Sequence, residues 1–182
     1  NALSSYGYTL NRLGNKEDAI FYLKKALAID STNVNLLGTL GLIYDDTEQW
    51  EQCDSIYSLA LKIDSLNPTI NNNYAYALSK RKIRLDEALR MAEIAIKAEP
   101  HNSSFLDTIG WIYFMLGDYE KAKKYIEESL QIGGERAEVL EHLGDVIFML
   151  GKKDEALSIW KKAFELDQSN STLKSKIERG TI

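Results

Sequence analysis

Apolar residues recur along this chain at spacings of three, four and seven, the period of one face of an α-helix, in runs separated by short polar turns. The runs are themselves repeated. GYTLNRLGNKEDAI from Gly7, GWIYFMLGDYEKAK from Gly110 and GDVIFMLGKKDEAL from Gly144 resemble one another. Gly7 and Gly41 stand 34 residues apart, as do Gly110 and Gly144. That period aligns the chain on itself as five units. One column of small residues reads Gly7, Gly41, Ala75, Gly110, Gly144. A second reads Ala19, Cys53, Ala88, Ala122, Ala156, and a third Ala26, Ala60, Ala95, Ser129, Ala163. Large apolar columns lie between them: Tyr6, Leu40, Tyr74, Ile109, Leu143; Leu10, Tyr44, Leu78, Tyr113, Ile147; and Leu27, Leu61, Ile96, Leu130, Phe164. Each unit predicts two amphipathic helices joined by a tight turn. The small columns mark crossings where a larger side chain would hold two helices apart.

The punctuation agrees with this period. Asn33, Asn67, Asn102 and Asn170 fall at one repeat position and predict N-caps, since an asparagine side chain satisfies an orphan N–H of the first turn. Pro68 follows Asn67 at the favoured first helical position. Arg136 breaks the column, and there the Gly133-Gly134 pair is expected to end the preceding helix. Gly14, Gly117 and Gly151 mark the turn inside their units, and the third unit carries one extra residue in the stretch SKRKIRLD. The expected boundaries are 1–33, 34–67, 68–102, 103–136 and 137–170 within one domain. A short capping helix follows over 171–179, with Leu173 and Ile177 as its clear apolar residues. The first residues already read as helix, so the chain is expected to be a piece of a longer protein.

The order of an apolar residue, Leu-Gly, an aromatic, a turn glycine and alanines at the later small columns resembles the tetratricopeptide repeat over nearly the whole chain. The stretch LDTIGWIYFMLGDYEKA is similar to that of many bacterial members. One departure is that the proline common at the end of the family's second helix occurs only as Pro100. The resemblance implies an all-α, right-handed α-solenoid in which the first helix of each unit lines a concave face. It also implies that peptides contact first-helix positions turned away from the packed columns. On this chain those positions include Asn1 and Tyr8 in the first unit and Asn35, Gly38, Thr39 and Leu42 in the second. Asn72, Asn73 and Tyr76 hold them in the third, Asp107, Trp111 and Phe114 in the fourth, and Glu141, His142, Asp145 and Phe148 in the fifth. Only Arg12 and Lys80 are basic there, so the carboxylate clamp of the chaperone-binding branch is not expected. The aromatic and acidic residues of the last two units instead suit an apolar or aromatic anchor flanked by Lys or Arg.

Composition changes this picture little. A net charge of -5 argues against nucleic acid as a partner. Residues 68–102 alone are basic, with six basic and four acidic residues, and Lys80, Arg81, Lys82 and Arg84 cluster in the turn of the third unit, where a solvated turn is expected. No apolar run reaches the length that spans a bilayer, so membrane insertion by this segment is not expected, and a soluble location in cytoplasm or periplasm is. Cys53, the only cysteine, falls in a column otherwise filled by alanine and is expected to be buried. No phosphate loop, dinucleotide loop or HExxH motif occurs, and neither a cofactor nor catalysis is expected. Glu138, His142 and Asp145, at i, i+4 and i+7, share a helix face. Without further ligands from a neighbouring helix they are expected to form a polar stripe and to hold no metal. The function expected is a scaffold for a protein or peptide. The alternative is a structural segment of a longer solenoid, or a self-association module.

Overall fold

Residues 2–182 are described by a computed structural model, and Asn1, among the expected groove positions, lies outside the described residues. Eleven α-helices follow one another, with no strand among the described residues. They are α1 (Ala2–Arg12), α2 (Lys16–Ile29), α3 (Val34–Asp46), α4 (Trp50–Ile63), α5 (Pro68–Lys80), α6 (Leu85–Ala98), α7 (Ser103–Met115), α8 (Tyr119–Gly133), α9 (Ala137–Met149), α10 (Lys153–Leu166) and α11 (Ser171–Arg179). This is the expected all-α order, five helix-turn-helix repeats and a short final helix. The chain divides into two compact units, one ending at Ala77 and the other spanning Leu78–Ile182.

The first helix of every repeat closes in the same way. The N–H of Asn15 donates to the Leu10 carbonyl at 3.0 Å, Gln49 to Tyr44 at 2.8 Å, Ile83 to Leu78 at 3.2 Å, Asp118 to Tyr113 at 2.9 Å and Lys152 to Ile147 at 3.1 Å. That closure needs a left-handed residue just after the helix. Gly14, Gly117 and Gly151 supply it with φ of 81°, 83° and 84°, and where the sequence has no glycine Glu48 and Lys82 adopt φ of 56°. The extra residue of the third repeat leaves Arg84 at φ 50° before α6, its guanidinium 2.6 Å from Glu87. At the other end of the repeats, Asn33, Asn67, Asn102 and Asn170 cap α3, α5, α7 and α11 by accepting from first-turn N–H groups at 2.9–3.3 Å. Arg136 makes no such bond, and α8 ends at Gly134, φ 74°.

Glycine at the first small column is required by what faces it. In the first unit a Cβ on Gly7 would stand 2.7 Å from Leu23 Cγ, and one on Gly41 would overlap the Tyr57 ring. Tyr57 is fully buried and stacks on Tyr74 with centroids 5.2 Å apart, beside buried Cys53. In the second unit a Cβ on Gly110 would lie 2.6 Å from Ile126 Cγ1, and one on Gly144 would overlap the Trp160 indole. Ala122, Ile126, Val146, Ile147, Ala156, Trp160, Ala163 and Leu173 join in one core there, so the last helix is sealed to its repeat by Leu173. Each large side chain buried this way contributes about 1.5–3 kcal/mol. The packed faces thus fix which first-helix faces stay open.

Candidate functional site

In the first unit, first-helix residues of three successive repeats surround one open groove of about 300 Å³. Tyr8 of α1 stands at one side. Val34, Asn35, Gly38, Thr39 and Leu42 of α3 form the middle, and Thr69, Ile70 and Asn73 of α5, with the cap residue Asn67, close the other side. Asn35 is exposed and its side chain makes no hydrogen bond to a described residue. Asn73 is half-buried and its Oδ1 accepts from Asn72 Nδ2 at 3.2 Å, which leaves its own NH2 group to the groove. Asn72 itself is buried, so it acts by orienting Asn73. Tyr76 is half-buried and lies outside the groove lining. The first-helix stripe therefore brings Tyr8, Asn35 and Asn73 together.

The second unit is built differently. Asp107 of α7 and His142 of α9 are both buried, and His142 Nδ1 lies 3.0 and 3.2 Å from the two Asp107 oxygens. Burial pushes the His142 imidazole down, but the Asp107 carboxylate, through its charge and this hydrogen bond, and the charges of Glu138 and Asp145 outweigh it, so the pKa is raised. Trp111 stacks on His142 with centroids 4.2 Å apart and on Phe114 at 4.8 Å, forming a half-exposed aromatic ladder. Its buried indole N–H has no acceptor among the described residues. Phe148 is half-buried and packs against Trp160 at 5.6 Å.

Further along the same face, Lys176 of α11 donates to Glu141 at 2.6 Å and to both Asp145 oxygens at 2.9 and 2.7 Å. Asn170 donates to Glu141 at 2.8 Å, and Trp160 Nε1 to Asp145 at 3.0 Å. Burial holds the Asp145 carboxyl above the usual range, against the downward pull of Lys176. These carboxylates were expected to form an acidic rim open to a partner. The structure places Asp107 and Asp145 below the surface and joins them, with Glu141, to His142, Lys176, Trp160 and Asn170. The reason is legible after the fact. Lys176 stands 34 residues after His142, in the same column, so the next repeat position supplies the counter-charge.

No cluster of three or more His, Cys, Asp or Glu among the described residues is arranged to hold a metal ion, and no helix among them is long and apolar enough to cross a membrane. In the basic turn, Arg84 is bound to Glu87.

Helix pairs repeating every 34 residues, closed by one turn type and packed through one glycine column, define an all-α helical-repeat protein. The tetratricopeptide repeat model matches residues 1–33, and the model of the anaphase-promoting complex, cyclosome, subunit 3 matches residues 81–163. The type IV pilus assembly protein PilF of Pseudomonas aeruginosa is 28% identical over 137 residues, which are 74% of this chain and 54% of that protein. A TPR repeat-containing protein of Methanocaldococcus jannaschii is 31% identical over 129 residues, 70% of this chain and 22% of that protein. The chain thus spans about half of the first relative and about a fifth of the second. The crystal structure of a thermophilic TPR protein from Thermus thermophilus superposes with a TM-score of 0.81 at 18% identity, covering 98% of this chain and 97% of that one. The chain belongs to the tetratricopeptide-repeat family.

Proposed function

We propose that this chain is a non-catalytic scaffold that holds a protein or peptide segment on its first-helix faces. The observation that carries the reading is the first unit's groove, lined by the Asn35 amide and by the NH2 of Asn73, whose Oδ1 is already held by Asn72, beside the apolar Leu42 and Ile70. An amide side chain offers both donor and acceptor, which suits a peptide backbone. The half-exposed Trp111–Phe114 ladder supplies a second, apolar contact in the other unit. Sequence relatives that include a pilus assembly protein and a TPR repeat-containing protein support the same reading. Because Asp107, Glu141 and Asp145 are committed internally, the anchor recognised is apolar or aromatic, with little to attract basic flanks.

The test is affinity capture from the source organism's lysate with the intact chain as bait. It is run beside Trp111→Ala and an Asn35→Ala/Asn73→Ala double variant. Loss of a captured protein with unchanged circular dichroism supports the proposal. Capture that is indifferent to every one of these substitutions overturns it.

Self-association is the second reading, favoured by Tyr6. It is 50% exposed, whereas Leu40, Tyr74, Ile109 and Leu143 of its column are 9% exposed or less. Tyr6 packs edge-on to Tyr22, which meets Phe21, and leaves an aromatic surface that a helix of a second copy fits. Sedimentation at two concentrations, with and without Phe21→Glu, decides it. A single monomeric species throughout removes this reading.

A further inference from the structure

We infer that the chain pairs with a second copy of itself through α2, the two helices running antiparallel about a twofold axis between Phe21 and Tyr22. This rests on the self-association reading above and gives it a helix, a register and a symmetry.

Phe21 is the observation that starts the argument. Its column otherwise reads Ser55, Arg90, Lys124 and Ser158, so every other second helix places a polar residue there. The packing of the repeat does not call for an aromatic at this position, and Phe21 is 51% exposed. Its ring meets Tyr22 edge-on at 5.2 Å, and Tyr22 meets Tyr6 at 4.6 Å, so three rings make one continuous surface across α1 and α2. Asp18, Phe21, Tyr22, Lys25 and Ile29 follow one another at intervals of three, one, three and four, which sets them on one face of the helix.

The charges on that face select the partner. Asp18 and Lys25 are both exposed, and neither makes an ion pair with a described residue. Asn15 Nδ2 holds Asp18 Oδ2 at 2.7 Å and leaves Oδ1 unbonded, while Lys25 Nζ rests 4.2 Å from the Phe21 ring centroid. Asp18 and Lys25 stand equally far from the midpoint of Phe21 and Tyr22, one on each side. An antiparallel copy centred there sets Asp18 opposite the partner's Lys25 and Phe21 opposite the partner's Tyr22, and the twofold axis repeats each pairing. Ile29, 70% exposed, then falls opposite the α1–α2 turn of the other copy, where Leu13 is 77% exposed. A parallel pairing about the same face would set acid against acid and lysine against lysine, and like charges repel. One helix face is small for a specific interface, so the dimer is expected to exchange with monomer at roughly micromolar concentration.

The experiment is sedimentation of the intact chain from about 1 to 200 µM at low salt, a range that brackets a micromolar dimer. It is run beside Phe21→Glu, Lys25→Asp, Asp18→Lys and the double exchange Asp18→Lys/Lys25→Asp. These sites are exposed, and circular dichroism with thermal melting checks that each variant is folded. The intact chain is expected to pass from monomer to dimer over the range, and Phe21→Glu to stay monomeric. Each single charge change should weaken the dimer by about tenfold or more, because two attractions become two repulsions. The double exchange restores both attractions and should recover the affinity to within about threefold, whereas damage to α2 itself would add up in the double variant. A dimer indifferent to the single changes, or a double exchange that dimerises no better than they do, overturns this inference and leaves self-association through another face standing. An intact chain that is monomeric at every concentration overturns both. If that monomer captures a lysate protein and loses it on Phe21→Glu, the face serves a different protein and the inference falls.

Discussion

Gly144→Ala is the sharpest probe of the packing that creates these faces. A methyl at this position would lie under 3.0 Å from Trp160 Cδ1 and Nε1, and Trp160 is 0% exposed. The indole cannot slide freely, because its N–H donates to Asp145 at 3.0 Å and its ring packs on Phe148. Forcing a methyl into such a contact costs about 1–3 kcal/mol. If the indole moves far enough to relieve it, the bond to the carboxylate is lost, about 1.5–3 kcal/mol for a charged acceptor. Replacing a mid-helix glycine by alanine returns about 0.5–1 kcal/mol. Whichever way the clash is relieved, the net expectation is a loss of about 1–2.5 kcal/mol. Urea unfolding followed by circular dichroism reads this as a lower midpoint at constant slope. A double-mutant cycle isolates the contact. In a Trp160→Leu background the indole edge is gone, and Gly144→Ala should cost less than about 1 kcal/mol. An unmoved midpoint, or the same cost in both backgrounds, would refute the argument that the glycine column exists to admit the facing side chain.

Three further outcomes are expected. The raised His142 pKa means that its stabilisation is fully present below the ordinary histidine range, about pH 6.5, and is lost as pH rises through the higher folded value. The stability gap between the intact chain and His142→Asn should therefore shrink between pH 6 and 9 by thermal melting, and a gap that widens contradicts the Asp107 pairing. Lys176→Met leaves Glu141 and Asp145 facing each other, at 15% and 6% side-chain exposure, without their cation. Removing one partner of a buried pair costs about 3–5 kcal/mol, and partial exposure brings the expectation to about 2–3. Faster amide exchange confined to α11 and the end of α9 is the readout, and unchanged protection there would count against it. Lys82→Gly relieves a non-glycine residue held at φ 56° and should raise stability by up to about 1 kcal/mol after the added unfolded-state entropy, whereas a lower melting temperature would show that the lysine side chain matters more than the backbone.

Much of the fold was legible in the sequence because the same physical demand recurs every 34 residues. A glycine at 7, 41, 110 and 144 announces a close crossing, and the asparagine caps at 33, 67, 102 and 170 announce helix starts, since each is satisfied locally. The site was less legible. The first-helix positions could be numbered, but whether a side chain there looks outward depends on what the next repeat places beside it. Asp107, Asp145 and Glu141 read as a charged rim when α7 and α9 are taken alone, and only the position of His142 and Lys176 turns them into internal links. Glu48 and Lys82 show a similar limit: the left-handed turn persists without the glycine that signals it, because the closing bond to Tyr44 or Leu78 and the packing of the flanking helices hold it.

The same two columns serve opposite ends in the two units. Asp107 and His142 are 35 residues apart, as are Glu141 and Lys176, and each pair joins one first helix to the next. Gly38 and Asn73 have that spacing as well and occupy those columns in the first unit. There the acid has become a glycine and the cation an amide, so these two positions form no charge pair and line a groove. A charged link buried between helices contributes rigidity but uses up the groups that would contact a partner. A glycine and an oriented amide give up that link and leave shape and hydrogen-bonding capacity open. The difference follows from side-chain size and charge at two positions per repeat: α9 and α11 are tied down where the pairs are ionic, and the first-helix face stays open where they are neutral.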